Sequence, residues 1–342
     1  MIGAREDGTM RRLSIAVLLC SLLTFARAVG AQSSLNWKAL RNPVLSYPNW
    51  SIKDAAMAYR SGTFYVFFSA FYQDSGTIHS HVVEVSTKDF VTYSPPILNF
   101  DGRDQGWRGM CSPDVQNLGD RWELSFNSWD DDPKRPDQLF YMTSPDLVHW
   151  SARRALAANL TAGESVIDLS VTRLGRGYLA VWRQGLEDFP KQIRVRVAAA
   201  AKLDGPWHFV RSGDATLAMA NGRDNGLIHE NYEFIRIGSS LELLSDDYRD
   251  NVEGEYLYRL ANPAQPLAWS MGRELAIPLE GFNRMVRCVA ATLYDWRHQL
   301  GYYYLLYAGS NEQSSYLGRG WNRLALARSK DLVHWYPAGA DN

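Results

Sequence analysis

The sequence predicts an all-β fold: a five-bladed β-propeller of four-stranded antiparallel blades around a central channel. The first observation behind this is a pattern that recurs down the chain, a short strand, a polar Ser/Asp/Pro turn and a closing aromatic. Its copies are 83–93 (VEVSTKDFVTY), 140–150 (FYMTSPDLVHW), 196–207 (RVAAAAKLDGPW), 257–269 (LYRLANPAQPLAW) and 324–335 (LALARSKDLVHW). The closing aromatics fall at 93, 150, 207, 269 and 335, steps of 57, 57, 62 and 66 residues. A period of this length with several short strands per unit signals a propeller or an array. The second observation is a hairpin upstream of each copy, two apolar runs about a glycine, at Gly62, Gly119, Gly175, Gly238 and Gly301. Glycine between two such runs supplies the turn. The third is crowding: the runs Ala55-Ala56 and Ala290-Ala291, and Ser170, are small where inner strands would converge. Hairpin and repeat strand make three strands per unit, and the stretch between units holds a fourth. An open pair of sandwiched sheets is the alternative, and five in-phase copies argue against it.

The units fill the chain from about residue 45 to 338 of 342, so residues 32–342 are expected to form a single domain. Residues 1–31 read as a secretory signal peptide. Arg11 and Arg12 precede the apolar run Leu13 to Phe25, and small residues follow at Ala26, Ala28, Gly30 and Ala31. The run is shorter than the ~20 residues that a membrane span needs, and no later stretch is long and apolar enough. Export to the periplasm or the medium, without a membrane span, is the expected localisation. Loss of this segment removes four arginines and two acids, which leaves 32 basic and 35 acidic residues and a net charge of −3. Such a chain lacks the basic face of a nucleic-acid binder. A monomer is expected.

Cys111 and Cys288 would remain in the mature chain, in units two and five, and are expected to be free, buried thiols. No spacing of Cys and His suggests zinc, and no glycine-rich phosphate loop is present. Neither a cofactor nor a metal is expected. Twelve Trp and 18 Tyr are a heavy aromatic load. Most should pack blade on blade, but an indole face also suits the C–H face of a sugar ring. Trp50, Trp107, Trp129, Trp182 and Trp321 lie near the acidic strands and are candidates for that role.

The chemistry is expected at the starts of the inner strands. Asp54, Asp114, Asp168 and Glu230 open units one to four, and a carboxylate near a crowded axis is costly unless paired or wetted by a cavity. Four in equivalent positions would converge on one end of the channel. Converging carboxyls suit glycosidic bond cleavage, because crowding pushes their proton affinities apart and yields one acid and one base.

On these residues the chain resembles the five-bladed β-propeller glycosidases. The Ser-Pro-Asp-Leu-Val-His-Trp and Ser-Lys-Asp-Leu-Val-His-Trp repeats and the blade-opening acids carry the likeness, over residues ~40–338. Glycoside hydrolase family 43, of the arabinofuranosidase and xylosidase type, is the nearest; families 32, 68, 117 and 130 share the scaffold. The resemblance implies that Asp54, in Lys-Asp-Ala-Ala-Met, is the general base. It implies that Asp168, in Val-Ile-Asp-Leu, modulates the acid, and that Glu230, in His-Glu-Asn-Tyr, is the general acid. Glu230 lacks the family's Glu-Ala-Pro context, and Glu233 is the fallback. Asp114, Trp107, Trp182, His229 and Arg287 are assigned to substrate binding, with Arg284 an alternative to Arg287. Ser112-Pro113-Asp114 replaces the Arg-Asp-Pro of families 32 and 68, which argues against fructan-type chemistry. A histidine serves as proposed acid in family 117, and His229 keeps that variant open. His298 is placed on a hairpin turn, which argues against a structural cation.

The expected function is therefore an exported glycoside hydrolase that cleaves plant or algal poly- or oligosaccharides, arabinofuranosides or xylosides, by inversion. Inversion sets the two working carboxyls ~6.5–9.5 Å apart and retention ~5 Å. Two alternatives stand beside it. One is a carbohydrate-binding propeller without catalysis. The other is a glycoside phosphorylase, in which Arg183, Arg249 and Arg287 would hold phosphate.

Overall fold

A computed structural model describes residues 35–130, 132, 134–185, 193–217, 228–249, 252–311 and 323–341. The expected leader at 1–31, Trp321 and the side chain of Arg249 lie outside the described residues. The fold is all-β, built from successive antiparallel meanders. The first is β1 (Ser51–Arg60), β2 (Thr63–Asp74), β3 (Thr77–Thr87) and β4 (Leu98–Phe100). The second is β5 (Gly109–Asn117), β6 (Trp122–Trp129), β7 (Leu139–Ser144) and β8 (Arg154–Ala155). Next come β9 (Val166–Leu174), β10 (Gly177–Gln184), β11 (Arg194–Ala200) and β12 (His208–Ala215). They are followed by β13 (Ile228–Ile237), β14 (Ser240–Arg249), β15 (Val252–Arg259) and β16 (Arg273–Glu274). The last are β17 (Val286–Trp296), β18 (Tyr302–Ser310), β19 (Arg323–Ser329) and β20 (Trp335–Pro337). No helix among the described residues is long and apolar enough to cross a membrane.

The strand pairing departs from separate four-stranded sheets at one point. β1 to β8 form one eight-stranded sheet, and the remaining strands form three sheets of four. The join is a single parallel pair, Ser80 with Gly109. Glycine makes it possible: a Cβ at 109 would lie 2.1 Å from the Ser80 hydroxyl and 2.5 Å from its carbonyl oxygen.

The hairpins follow from local chemistry. Ser61 and Gly62 both have positive φ, at 52° and 83°, as a two-residue turn between twisted strands requires. The recurring Ser/Thr-x-Asp sequence is a turn device. The Ser144 hydroxyl accepts from the amides of Asp146 (3.1 Å) and Leu147 (2.9 Å), while Asp146 Oδ1 accepts from Val148 and His149 (3.0 and 2.8 Å). Ser329 and Asp331 repeat the arrangement, and Thr87 and Asp89 do so in the first meander. The residues turned to positive φ, Phe90, Leu147 and Leu332, are buried and anchor each turn to the core.

That core lies between the meanders. Phe67 and Val82 of β2 and β3 meet Leu124, Phe126 and Met142 of the second meander. Leu139 and Tyr141 meet Val171, Ala180 and Trp182; Val181 and Val197 meet Phe234, Leu243 and Tyr258; Leu244 and Leu257 meet Leu293, Leu305 and Ala325. Trp296, Tyr304 and Leu306 then meet Phe64, Val66 and Phe68, so the last meander packs on the first. The N-terminal stretch locks this contact. Leu45 exchanges backbone hydrogen bonds with Leu324 (3.2 and 3.0 Å), Asn42 bridges to both backbone groups of Leu326, and Trp37 Nε1 donates to the carbonyl of Ala340 (3.0 Å). Cys111 and Cys288 are free and buried. His298 lies in the connection between β17 and β18, on the short helix Arg297–Leu300.

Candidate active site

The inner strands β1, β5, β9, β13 and β17 neighbour one another, and each carries an irregularity at the same place, β17 having a second between Val286 and Val289. Pairing slips between Lys53 and Ala56, Cys111 and Asp114, Ile167 and Ser170, Glu230 and Glu233, and Val289 and Thr292. At each of these five slips the residue after the last regular pair has positive φ: Asp54 (54°), Ser112 (52°), Asp168 (61°), Asn231 (50°) and Ala290 (49°). Positive φ is uncommon outside glycine, and bulges of this kind re-aim side chains near functional sites. The channel-facing positions can be aligned on these five residues.

The alignment corrects one expectation. Asp54 and Asp168 are equivalent, but Asp114 and Glu230 are not. Asp114 stands two residues beyond its bulge residue, Ser112, and Glu230 stands one residue before Asn231. Glu233, two beyond Asn231, is the true counterpart of Asp114. The bulge inserts a residue, so alternation counted straight along the strand slips by one face.

Two tiers of acids result. Asp54, Asp168, Asp114 and Glu233 line one small internal cavity of about 20 Å³, with Ser112, Asn231 and Ala290. In the upper tier, Asp54 and Asp168 are each 3 % exposed. Lys53 Nζ lies 3.2 Å from Asp54 Oδ1 and pairs with it in charge, while neither Asp54 oxygen has a partner in hydrogen-bond geometry. Asp168 takes the Asn127 side-chain oxygen on its backbone amide (3.0 Å), and its Oδ2 is unpartnered. Burial, reinforced by the charge of Asp54, raises the pKa of Asp168; the Ser112 hydroxyl, Arg183 and Lys53 pull it back.

In the lower tier every carboxyl is tied. Asp114 accepts from Ser170 Oγ (2.6 Å) and Gln116 Nε2 (3.2 Å). Glu233 accepts from Thr292 Oγ1 (2.8 Å) and the amide of Leu293 (2.7 Å). Burial pushes Asp114 up to about 7 despite these bonds, and Glu233 well above the usual carboxylate range, with the charge of Asp114 adding to it.

Glu230 and His229 belong to a separate cluster. Glu230 forms an ion pair with Arg183, which is 1 % exposed and whose charge is also felt at Asp168. Arg183 is thus the shared neighbour of Glu230 and Asp168. His229 Nδ1 lies 2.6 Å from Asp247 Oδ1. Asp247 is fully buried and is also bound by Ser245 Oγ (2.8 Å) and the Tyr258 hydroxyl. A carboxylate on Nδ1 fixes the ring and leaves Nε2 for other work.

The aromatic and basic expectations fare differently. Trp182 is fully buried among Val171, Ala180 and Ala198, so its indole is core and has no face for a sugar; this corrects the assignment to substrate binding. Trp107 is half-buried beside the first two meanders with the Arg135 guanidinium 5.7 Å from its ring. Arg287 is exposed and its carbonyl accepts from Asn283. Neither lines the cavity that holds Asp54 and Asp168. Lys53, Ser112, Asn231 and Asp247 were not singled out by sequence, and Arg183 only as a phosphate ligand. The signal available for the first three was their fixed place around each bulge.

No known family's sequence pattern matches this chain, and no curated protein matches it. Solved structures do. A thermostable family-43 glycoside hydrolase is 11% identical with a TM-score of 0.60, over 88% of this chain and 97% of its own. An α-L-arabinofuranosidase from Lactobacillus brevis is 13% identical with a TM-score of 0.58, over 88% and 96%. A member of a family of mannoside phosphorylases that contains glycoside hydrolases targeting β-1,2 mannosidic linkages in Candida mannan is 15% identical with a TM-score of 0.61, over 87% and 95%. At these identities what is shared is the architecture, and that architecture is the propeller-type fold of the glycoside hydrolases.

Proposed function

We propose that the protein is an exported glycoside hydrolase, a five-bladed propeller that cleaves plant or algal oligo- or polysaccharides by inversion. One observation carries the reading. Asp54 and Asp168 sit at equivalent strained bulges, buried in one cavity; Asp54 meets Lys53 only as an ion pair outside hydrogen-bond geometry, and Asp168 Oδ2 has no hydrogen-bond partner. Buried polar atoms are otherwise almost always paired, so unpartnered carboxyl oxygens facing a cavity between the inner strands point to a ligand. Asp54, ion-paired to Lys53, takes the proton from the attacking water. Asp168, raised by burial, stands next to Arg183 and through it conditions Glu230. Glu230 gives the proton to the departing oxygen. Arabinofuranosides and xylosides lead as substrates, by likeness to the family; residues 1–31 act as the export signal, and the mature chain of residues 32–342 works as a single-domain monomer.

A second donor has its own observation. Glu230 rests in an ion pair with a buried guanidinium and must leave it before it can donate a proton. His229, held by Asp247 through Nδ1, would donate from Nε2 as the imidazolium, with that pair intact. Aryl glycosides separate the two. Product NMR on a panel of aryl arabinofuranosides and xylosides, with Glu230→Gln and His229→Gln, tests the whole reading. The donor variant loses turnover on poor leaving groups and keeps it on nitrophenolate. Inverted anomers support the mechanism, and a requirement for phosphate turns the reading to a phosphorylase. Binding without turnover on any member would make the protein a sugar-binding module.

A further inference from the structure

A second cleft, of about 350 Å³, lies on the first meander, lined by Tyr72, His81, Asn99, Phe100, Asp101 and Arg103. Pockets that hold small ligands start at about this size. Register places it at the same end of the strands as Asp54. β1 pairs Lys53 with Ser69 and Ile52 with Ala70, and β2 pairs Ala70 with His81 and Tyr72 with His79. Asn99 pairs with Val83, two residues from His81, so Tyr72, His81 and Asn99 share one face. The cleft stands two to three strand spacings outward from β1, ~10–15 Å.

Its chemistry is that of a polyol site. His81 is 7 % exposed, and burial lowers its proton affinity, so the ring is neutral. Its Nδ1 faces the side-chain oxygen of Asn99 and therefore carries the hydrogen. Nε2 is then an acceptor, buried and without a partner. It calls for a hydroxyl or amine donor. Beside it, Arg103 Nε donates to Asp101 Oδ2 (2.6 Å), and the backbone amide of Arg103 donates to Oδ1 (3.0 Å). This fixed pair offers donors and acceptors side by side, the complement of two adjacent hydroxyls. Tyr72 supplies a half-buried ring, with the Arg103 guanidinium 6.0 Å from its centre. The Trp50 ring meets His81 edge-on at 4.8 Å and continues the aromatic surface inward. An anion fits poorly, because Asp101 and Asp74 both accompany Arg103.

We propose that this cleft is a subsite for a sugar residue remote from the bond that is cut, so that the protein engages an oligosaccharide or polymer along its length. Its part in turnover rests on the hydrolase reading above; its affinity for sugar does not. The test is calorimetric titration of Asp54→Asn protein with arabino- and xylo-oligosaccharides of one to six units. Affinity is expected to rise by ~10-fold or more once the ligand is long enough to reach the cleft, as one well-placed aromatic or Arg contact gives. Arg103→Ala, an exposed position, and Tyr72→Ala remove that rise and leave the shortest ligands unchanged. The melting temperature of each variant verifies that it is folded. Affinity that is flat with chain length, or a rise that survives Arg103→Ala, overturns the proposal. Turnover of an aryl monoglycoside by wild type reports the cutting site alone. Turnover with flat length dependence sinks only the subsite; length-dependent binding without turnover sinks only the hydrolase.

Discussion

The two tiers of acids in the channel differ in what their oxygens touch. Asp54 and Asp168, at the bulges of β1 and β9, keep unpartnered oxygens, while Asp114 and Glu233, two residues beyond the bulges of β5 and β13, are bound by Gln116, Ser170, Thr292 and the amide of Leu293. Burial alone does not separate the pairs, since all four are nearly inaccessible. Hydrogen bonding does. A satisfied buried carboxyl joins neighbouring strands; on the proposal above, the unpartnered oxygens of Asp54 and Asp168 serve a ligand.

Substitutions in each tier test this contrast. The largest effect is expected at the upper tier. Asp54→Asn should lower turnover by ~10²–10⁴-fold, the range of a general acid or base, and leave the melting temperature unchanged or higher. Turnover within a few-fold of wild type would remove Asp54 from the chemistry. The lower tier should answer in stability instead. Glu233→Ala leaves the Thr292 hydroxyl and the Leu293 amide buried without an acceptor, at ~1–3 kcal/mol each, and calorimetry should show the loss. Glu233→Gln keeps an acceptor and should recover most of it. A large activity loss in a stable Glu233→Gln protein would erase the distinction between tiers.

Asp114 gives a pH signature. Below pH 3.8 the folded and unfolded chains both carry its proton. Between 3.8 and about 7 the unfolded chain has released the proton and the folded chain keeps it, so stability falls as pH rises across that window and levels off above it. Asp114→Asn should flatten the melting temperature over that window, and an unchanged slope would place the titrating group elsewhere. The smallest effect belongs to the outer turns. Ser144→Ala removes an acceptor from two amides and should cost ~1 kcal/mol, with no effect on turnover.

Much of this architecture was legible in the sequence, because the outer turns are local devices. Ser144, Asp146 and Leu147 make their turn within a few residues, and so do Thr87, Asp89 and Phe90, so the pattern survives as readable text. Asp54 and Asp168 were legible for a related reason, as acids beside small or apolar neighbours. The offsets of Asp114 and Glu230 were not legible. A bulge is set by pairing with the next strand, and straight counting along β5 or β13 passes over it. The burial of Trp182 was hidden likewise, since it depends on Val171 and Ala198 from flanking strands. Asp247 escaped because its partners, His229 and Tyr258, come from strands on either side of its own.

The clasp made by residues 37–45 has a consequence for how the chain is made. Leu45 finds its partner at Leu324, and Trp37 finds its own at Ala340, a separation of 303 residues. Contacts so distant in sequence are entropically slow to form and come late. The first meander emerges from the ribosome long before the strand that completes its flank exists. Until β19 arrives, Phe64, Val66 and Phe68 present an uncovered apolar face. The flank of the first meander is therefore completed only when the last strands of the chain have been made.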